Sequence, residues 1–477
     1  YAWFYPLWRE GKNNTNQAYV EDIMLDILIT AGRYPDYEKN QFTEANIGIK
    51  DGKIAYIGSE TPEAQKTIDA KGKIVSPGFI DIHMHEENFA NEGKEYVISK
   101  LMLKQGVTTC VGGNCGVQYQ TLKEFKDTIN ELGGAPVNYA MLTGYNWYRT
   151  ALGLGHFDTA TKEQWDIIRG KMQEDLKEGA MGISFGIEYD PGITFDEIIY
   201  GTEASDDPNL LVAAHYRSDC LGNIDSIEEM VNIQKHINKR FQISHLSSCS
   251  AMGQMKESLE LINRAMDEDP RLNFDTYPYN AFSTTINSTV FDDGCLEAWG
   301  KDYKDLMLTD DPYKNVYCTE EIFKDARKNY PKMLVVAFVM NEEEIAEAVA
   351  NPKGMVASDG IINHGNGHPR AAGTFPRVLG KYVREEKRLS LIDALKKMTI
   401  EPAKRLDLEN RKGIIKMGAD ADITVFDPDT IIDGATFGDI ATPPVGIDYV
   451  IVGGQIAAKD NEIFTERAGR FISYFEK

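Results

Sequence analysis

The sequence predicts an α/β protein: a (β/α)8 TIM-type barrel with a small β-sandwich domain built from both termini. Two patterns predict it. Eight short apolar runs alternate with amphipathic stretches through the middle of the chain, and β-type segments with Gly and Asp turns occur at both ends. Of the 477 residues, 42% are hydrophobic and 26% are charged. This composition supplies a large core and excludes a disordered or collagen-like chain.

The first 22 residues form a predicted N-terminal arm. It begins YAWFYPLWR and continues into the polar stretch GKNNTNQ. Aromatic rings are favoured at the headgroup level of a bilayer, so the arm is interpreted as the remnant of a membrane anchor. The alternative is a disordered arm or an aromatic tail packed on the domain surface. Because the chain starts at Tyr1 rather than Met, we expect that a preceding segment was lost, and an exported or membrane-anchored protein is favoured over a cytoplasmic one.

Residues 23–77 and 402–477 are predicted to form the small β domain. The N-terminal part contains short β segments around Asp51-Gly52, a pair typical of two-residue hairpin turns. The C-terminal part shows similar β-type alternation from residue 413 to residue 465. Two β-rich ends around an alternating middle therefore indicate one domain assembled from both termini.

Residues 78–401 are predicted to form the barrel. The eight apolar runs are GFIDIHMH, GVTTCVGGN, NYAMLTGY, GISFGIEY, LLVAAHYR, FQISHL, LNFDTYPY and GMVASDG. A doubly wound sheet is the alternative, but no GxGxxG follows a strand. Residues from about 285 to 345 interrupt the alternation. They are charged and helix-like, and we expect an insertion that covers the barrel mouth.

Charge and cysteine content exclude several classes of protein. The formal net charge of −23 would repel a phosphate backbone, so nucleic acid is excluded as a partner. Six cysteines with no CxxC pair make neither a disulfide framework nor a ribbon-type zinc site.

Metal-binding residue types lie at the ends of the predicted barrel strands. Parallel strands of a barrel end at one face, where the active site of such a fold is expected. Each of these residues alone has a structural explanation, but together they would converge on one place. Imidazole, thiolate and carboxylate suit a divalent ion such as zinc. The residues are His83, His85, Cys115, His215, His245 and Asp359.

The sequence resembles the amidohydrolase superfamily and, within it, the D-aminoacylase (N-acyl-D-amino-acid deacylase) family. The resemblance covers nearly the whole chain. GFIDIHMH indicates the superfamily, whereas GNCG together with HPRAAGTFPRVLG is similar to the deacylase branch. The other matching segments are GISFGIEYDPG, the HYR beginning at His215, ISHL, DTYPY and SDG.

The resemblance implies two metal positions. A tightly held zinc would be bound by Cys115, His215 and His245, and a second, weaker position would be formed by His83, His85, Cys115 and Asp359. Many superfamily relatives instead bridge two metals with a carboxylated lysine on strand four. The run GISFGIEY has no lysine, which makes Cys115 the consistent bridge and Glu188 its nearest competitor.

The expected chemistry is hydrolysis by an activated water. A metal lowers the pKa of bound water towards 7, and Asp359 would accept the water's proton and return it to the leaving nitrogen. The resemblance further implies that Arg370 binds a substrate carboxylate, with Tyr277 and Ser283 as additional polar contacts. The family has a lysine two residues after the strand-six histidine, where this chain has Ser247, so the expected pocket has one positive charge fewer.

Three functions remain open on the sequence. The first is a zinc-dependent deacylase of N-acyl amino acids, whose D stereochemistry is implied by the resemblance and whose partner is the small-molecule substrate. The second is a cyclic amidase of the hydantoinase or dihydroorotase type. The third is a metal-binding barrel without catalysis, because a fold alone does not determine activity.

Overall fold

The barrel predicted for the middle of the chain is present in the computed structural model, which describes residues 24–476. The predicted N-terminal arm therefore lies outside the described residues, and its membrane role stays a prediction. The eight barrel strands, numbered 1 to 8 in chain order, are Phe79–Asp81, Val107–Gly112, Asn138–Gly144, Gly182–Gly186, Leu211–His215, Arg240–Ile243, Leu272–Thr276 and Met355–Val356.

The barrel strands are parallel and pair in sequence order from strand 1 to strand 8. The circle closes where Met84 pairs in parallel with Gly360. Two backbone hydrogen bonds support the closure: Asp359 N donates to His83 O at 2.8 Å, and His85 N donates to Gly360 O at 2.8 Å. This arrangement confirms the predicted fold class and brings the residues after strands 1 and 8 together.

Helices connect the barrel strands and cover the outside of the barrel. Thr121, Thr161 and Thr194 each begin a helix with a capping box, which satisfies N–H groups that the first turn leaves free. The helices between strands are Phe89–Glu92, Ile98–Lys104, Leu122–Glu131, Tyr145–Ala151, Lys162–Glu178, Phe195–Thr202, Asn223–His236, Leu246–Ser250, Met255–Glu268 and Glu342–Ala350. After strand 8 come Arg370–Arg377, the π-helical turn Val378–Glu385, Leu391–Met398 and Ile400–Arg405.

Both termini contribute to one mixed sheet, which has nine strands among the described residues. Asp51 and Gly52 form its two-residue hairpin turn with φ of 49° and 75°, values that suit an Asp-Gly pair. Isoleucine and valine side chains from both ends of the chain share one core. The strands are Leu25–Asp36, Gln41–Lys50, Lys53–Gly58, Ala64–Asp69, Ile74–Pro77, Ile423–Phe426, Ile447–Val452, Gln455–Lys459 and Glu462–Ile463.

The boundary predicted between residues 401 and 402 falls inside the helix Ile400–Arg405. Ala403, Leu406 and Leu408 pack in a core with residues of the barrel strands. Arg405 donates hydrogen bonds to Arg271 O at 2.9 Å and Phe241 O at 2.7 Å. Residues up to about 408 therefore belong to the barrel, because their apolar face is buried there.

The insertion after strand 7 is a small antiparallel sheet rather than a helical segment. Within the described part of the chain, its four strands are Phe282–Thr285, Leu306–Leu308, Val316–Tyr317 and Leu334–Ala337. Only Cys295–Trp299 and Glu320–Asn329 are α-helical there. The helical expectation fails because strands of two to four residues leave little alternation in the sequence.

The other elements are short. They are the hairpin Ile362–Asn363 with Asn366–Gly367 and the 3-10 turns Cys220–Gly222, Thr289–Phe291, Tyr303–Asp305 and Tyr474–Glu476. Between Met24 and Glu476, none of the helices combines the length and the apolar character that a membrane span requires.

Candidate active site

The six residues expected to bind metal meet at the carboxyl ends of the barrel strands and are buried there. None of the six is more than 7% exposed. Three of them have a left-handed backbone, with φ of 54° at Cys115, 33° at His245 and 49° at Asp359. Such conformations cost energy in non-glycine residues and are concentrated at functional sites. Here they turn each side chain from the end of its strand into the barrel.

Cys115, His215 and His245 form the first group of donors, whose ligand atoms lie within 4.8 Å of one another. Cys115 Sγ is 3.4 Å from His245 Nε2, and His245 Nδ1 is 2.7 Å from Ser248 Oγ. His215 Nε2 is 2.8 Å from Glu188 Oε2, and its Nδ1 is buried without a hydrogen-bond partner among residues 24–476. Nε2 of His245 and Nδ1 of His215 are therefore the atoms available to a metal.

His83, His85, Cys115 and Asp359 form the second group, with the same 4.8 Å limit. His83 Nε2 lies 3.3 Å from Cys115 Sγ and 3.4 Å from Asp359 Oδ1. His85 Nε2 is also 3.4 Å from Asp359 Oδ1. Cys115 thus belongs to both groups, which is the bridging position that the resemblance implies for it.

Asp275 orients two of the histidines. Its Oδ1 lies 3.4 Å from His83 Nδ1 and accepts a hydrogen bond from His245 N at 2.8 Å. Gln242 Nε2 donates to the other carboxylate oxygen at 2.9 Å. A carboxylate behind a metal-binding imidazole fixes the orientation and the tautomer of the ring.

Electrostatics favour anionic donors at this site. Burial raises the pKa of the Cys115 thiol, but the imidazoles of His83 and His245 hold that pKa well below its usual range. Burial likewise raises the pKa of Asp359, but the positive charge of the Arg370 guanidinium lowers it by more. The pKa of Asp359 therefore also lies well below its usual value. A thiolate and a carboxylate are thus available to compensate a cation.

The donor set fits zinc. Thiolate, imidazole and carboxylate are the usual zinc ligands, and three protein ligands with an open position are typical of catalytic zinc. Nδ1 of His85 and Nδ1 of His215 are buried and unpartnered within the described chain. Glu188 belongs to neither donor group because its carboxylate contacts the opposite nitrogen of His215.

Arg370 lies beside the second donor group. It is 1% exposed, and its Nη1 is 2.9 Å from Asp359 Oδ2. Its Nη2 donates to Ser283 O at 2.9 Å, and its guanidinium carbon lies 4.7 Å from the centre of the Tyr277 ring. The structure therefore brings all three residues expected to bind substrate next to Asp359, although Tyr277 contributes its ring and Ser283 its carbonyl to Arg370.

A cavity opens above the first donor group. His215, His245, Asp359 and Ser283 line it, and the insertion adds an apolar wall through Phe282 and Val290. The insertion is anchored by Thr289, whose hydroxyl donates to Glu188 O at 2.5 Å. The insertion therefore lies beside the cavity at the carboxyl ends of the barrel strands.

Sequence reasoning missed several residues of the site. Asp275 precedes Tyr277 by two positions at the end of strand 7, so strand alternation continued one residue past Thr276 could have placed both on the same face. Ser248 follows His245 by three positions at the start of a helix, a spacing that brings side chains together. His368 gave no such signal. Its Nδ1 accepts a hydrogen bond from Arg370 N at 3.0 Å and fixes the start of the helix that carries Arg370.

Fold and site together define a barrel hydrolase with a histidine and cysteine metal centre. The family model described as "Amidohydrolase family" matches residues 74–457. The chain belongs to the amidohydrolase family.

Relatives of known function are similar over nearly the full length. The chain is 29% identical to a D-aminoacylase from Alcaligenes xylosoxydans xylosoxydans over 94% of this chain and 97% of that protein. It is 27% identical to an N-acyl-D-aspartate deacylase of the same organism over 94% and 95% of the two chains. The crystal structure of N-acyl-D-glutamate deacylase from Bordetella bronchiseptica, complexed with zinc and a phosphonate inhibitor, superposes with a TM-score of 0.84 at 28% identity, covering 94% of this chain and all of the other.

Proposed function

We propose that this protein is a zinc-dependent deacylase that hydrolyses N-acyl-D-amino acids to a carboxylic acid and a free amino acid. One observation carries the proposal: the buried Asp359 carboxylate lies 3.4 Å from both histidines of the HxH pair and 2.9 Å from a buried arginine. The expected base therefore lies directly beside both the metal donors and the arginine expected to bind a carboxylate. The names of the relatives support the substrate class and its stereochemistry.

The residues fit one tight zinc at Cys115, His215 and His245 and a weaker position at the second donor group. A bound zinc ion lowers the pKa of water and polarises the substrate carbonyl. Ser248 and Glu188 hold the outer nitrogens of His245 and His215. This keeps the imidazoles oriented and leaves their inner nitrogens free.

Asp359 moves the proton. Because Arg370 keeps it ionised, its carboxylate accepts a proton from water as the water oxygen bonds to the carbonyl carbon. The same carboxyl group then donates that proton to the amide nitrogen as the carbon–nitrogen bond breaks. The products are the carboxylic acid and the amine of the released amino acid.

Arg370 binds the carboxylate of the substrate. A guanidinium presents paired N–H donors that match a carboxylate, and Nε of Arg370 has no hydrogen-bond partner among the described residues. The Tyr277 ring packs against the Arg370 guanidinium group, and Ser283 O accepts a hydrogen bond from Nη2 of Arg370. Both contacts keep the guanidinium oriented. A carboxylate α to the amide nitrogen would thereby hold the scissile bond near Asp359.

A hydrolysis screen of the zinc-loaded protein tests this function. The panel contains N-acetyl derivatives of D- and L-leucine, methionine, glutamate and lysine, with hydantoin and dihydroorotate as cyclic amides, and release of free amine or ring opening is measured. We expect cleavage of D-derivatives only. Ring opening without cleavage of any linear amide would instead show a cyclic amidase, and no turnover of any compound would show a barrel without catalysis.

A further inference from the structure

The cavity wall beside His215 carries two carboxylates, Glu188 and Asp219, which both line the cavity. Asp219 follows strand 5 by four residues, and its Oδ2 accepts a hydrogen bond from Trp299 Nε1 of the insertion at 2.9 Å. The side chain of Glu188 is 12% exposed and contacts His215. Neither carboxylate is needed as a metal donor or as the base.

No lysine or arginine side chain lines this cavity within the described chain. Arg370 is paired with Asp359. Arg217, the nearest arginine along the chain, contacts Glu229 at 2.7 Å and the carbonyl of Ile193 at 2.9 Å. The hydroxyl of Ser247 is hydrogen-bonded to Thr276. Apart from the histidines His215 and His245, the described part of the chain therefore places no basic side chain beside the two carboxylates in this cavity.

Burial in the cavity makes it unfavourable for both carboxylates to be ionised without a nearby cation. Burial, together with the charge of Glu188, raises the pKa of Asp219 to about 8. Because two carboxylate charges in one partly buried cavity repel each other, Asp219 keeps its proton at neutral pH unless a cation lies beside it. A ligand that brings a positive charge would relieve this repulsion and stabilise both ionised groups.

A further acceptor in the cavity is unpartnered. Ser283 is 5% exposed, and its Oγ has no hydrogen bond within residues 24–476. It lines the same cavity as Glu188 and Asp219. Such a buried hydroxyl needs a partner, and N–H groups of a ligand would supply it.

We propose that the substrate carries an ammonium or guanidinium group, which binds to the carboxylates of Glu188 and Asp219. This inference rests on the deacylase activity proposed above and specifies its substrate class. The positive charge can be on the amino-acid side chain or on the acyl group. In both cases the same kind of cationic group would bind the two carboxylates.

The test compares matched charged and neutral substrates with zinc-loaded protein. N-acetyl-D-lysine is compared with N-acetyl-D-norleucine, and N-(6-aminohexanoyl)-D-leucine with N-hexanoyl-D-leucine. We expect kcat/KM to be at least tenfold higher for the charged member of one pair. That pair identifies whether the charge is on the side chain or on the acyl group.

Asp219→Asn removes one charge at nearly constant shape and should reduce this ratio at least fivefold. Asp225→Asn, on the exposed first turn of the following helix, is the matched control and should leave the ratio unchanged. If the wild type cleaves the neutral member of each pair as fast as the charged member, the inference is overturned. The deacylase function would still stand.

If no substrate is cleaved, the deacylase proposal fails and binding decides the inference separately. Calorimetric titration into zinc-loaded Asp359→Asn measures the affinity of each compound. The compounds are N-acetyl-D-lysine and N-acetyl-D-norleucine, together with the two compounds of the acyl pair. A tenfold tighter binding of one charged member supports the charge preference. Equal affinities within both pairs contradict it.

Discussion

At the scale of single residues, the metal-binding atoms of the site are determined by which ring nitrogen of each histidine already contacts a neighbouring side chain. Ser248 binds Nδ1 of His245, Glu188 binds Nε2 of His215, and Asp275 lies near Nδ1 of His83. These contacts leave one nitrogen of each ring facing the donors around Cys115. The left-handed backbone at Cys115, His245 and Asp359 places the side chains where the strands end. The sequence shows which residues take part, but not which nitrogen is used.

Asp359→Asn should reduce kcat at least about a hundredfold, because an amide cannot accept the proton of the attacking water. Zinc bound at Cys115, His215 and His245 should remain close to one equivalent, since Asp359 belongs only to the second donor group. Steady-state kinetics and metal analysis on the same preparation measure both quantities. Normal turnover in the loaded variant would exclude Asp359 as the base.

Arg370→Lys should raise KM strongly, because a single ammonium cannot reproduce the paired donors of a guanidinium. Truncating one partner of a buried charge pair costs about 2 to 5 kcal/mol. The substrate should be tested as its free carboxylate and as its neutral amide. The wild type should strongly prefer the carboxylate, and Arg370→Ala should show little preference. The same preference in both proteins would mean that Arg370 does not contact the carboxylate.

At the scale of elements, the barrel strands were predictable and the strands of the insertion were not. Seven of the eight barrel strands lie within the apolar runs predicted for them, because a buried parallel strand is largely apolar, and strand 6 begins one residue before its run, at Arg240. The insertion consists of strands as short as Val316–Tyr317, which carry no periodicity. The contact of Arg370 with Asp359 joins residues eleven positions apart through a hairpin and a turn, and no local pattern encodes it.

Trp299→Phe tests how the insertion shapes the cavity. The change removes the hydrogen bond to Asp219 but keeps the ring packing against Phe282 and Phe291. With the charged substrate bound, Asp219 is ionised, and loss of a hydrogen bond to a charged group costs about 1.5 to 3 kcal/mol. We therefore expect the KM of the charged substrate to rise about tenfold at unchanged zinc content. Trp165→Phe is the matched control, because the Nε1 of Trp165 has no partner within the described chain. Equal KM values in the two variants would contradict a role for this contact.

At the scale of the whole molecule, a buried ion pair lies where the sheet of both termini meets the barrel, and a hydrogen bond from its carboxylate crosses to barrel strand 3. Lys412 Nζ lies 2.5 Å from Asp422 and 3.1 Å from Asp420. Asp422 also accepts a hydrogen bond from Asn138 of barrel strand 3 at 3.1 Å. The two bodies therefore share a charged junction on the side of the barrel away from the metal donors, because Asn138 begins its strand.

Lys412→Met should lower the free energy of unfolding by about 3 to 5 kcal/mol, because it leaves the buried carboxylate of Asp422 without its cation. Zinc content and kcat/KM at room temperature should stay close to wild type. The exposed Lys416→Met is the matched control and should unfold like the wild type. The midpoint of thermal unfolding measures the difference, and an unchanged midpoint in Lys412→Met would contradict the structural role of this junction.

Zinc titration of the metal-stripped protein tests the central claim most directly. Hydrolysis of the best N-acetyl-D-amino acid from the screen is measured at increasing zinc, in the wild type, in Cys115→Ala and in the control Cys295→Ala. We predict that wild-type activity rises from background to a plateau near one equivalent of zinc. Cys295→Ala should behave in the same way, because Cys295 lies in neither donor group. Cys115→Ala should bind well below one zinc and stay nearly inactive. Full activity in stripped wild type, or a fully loaded and active Cys115→Ala, would contradict the account.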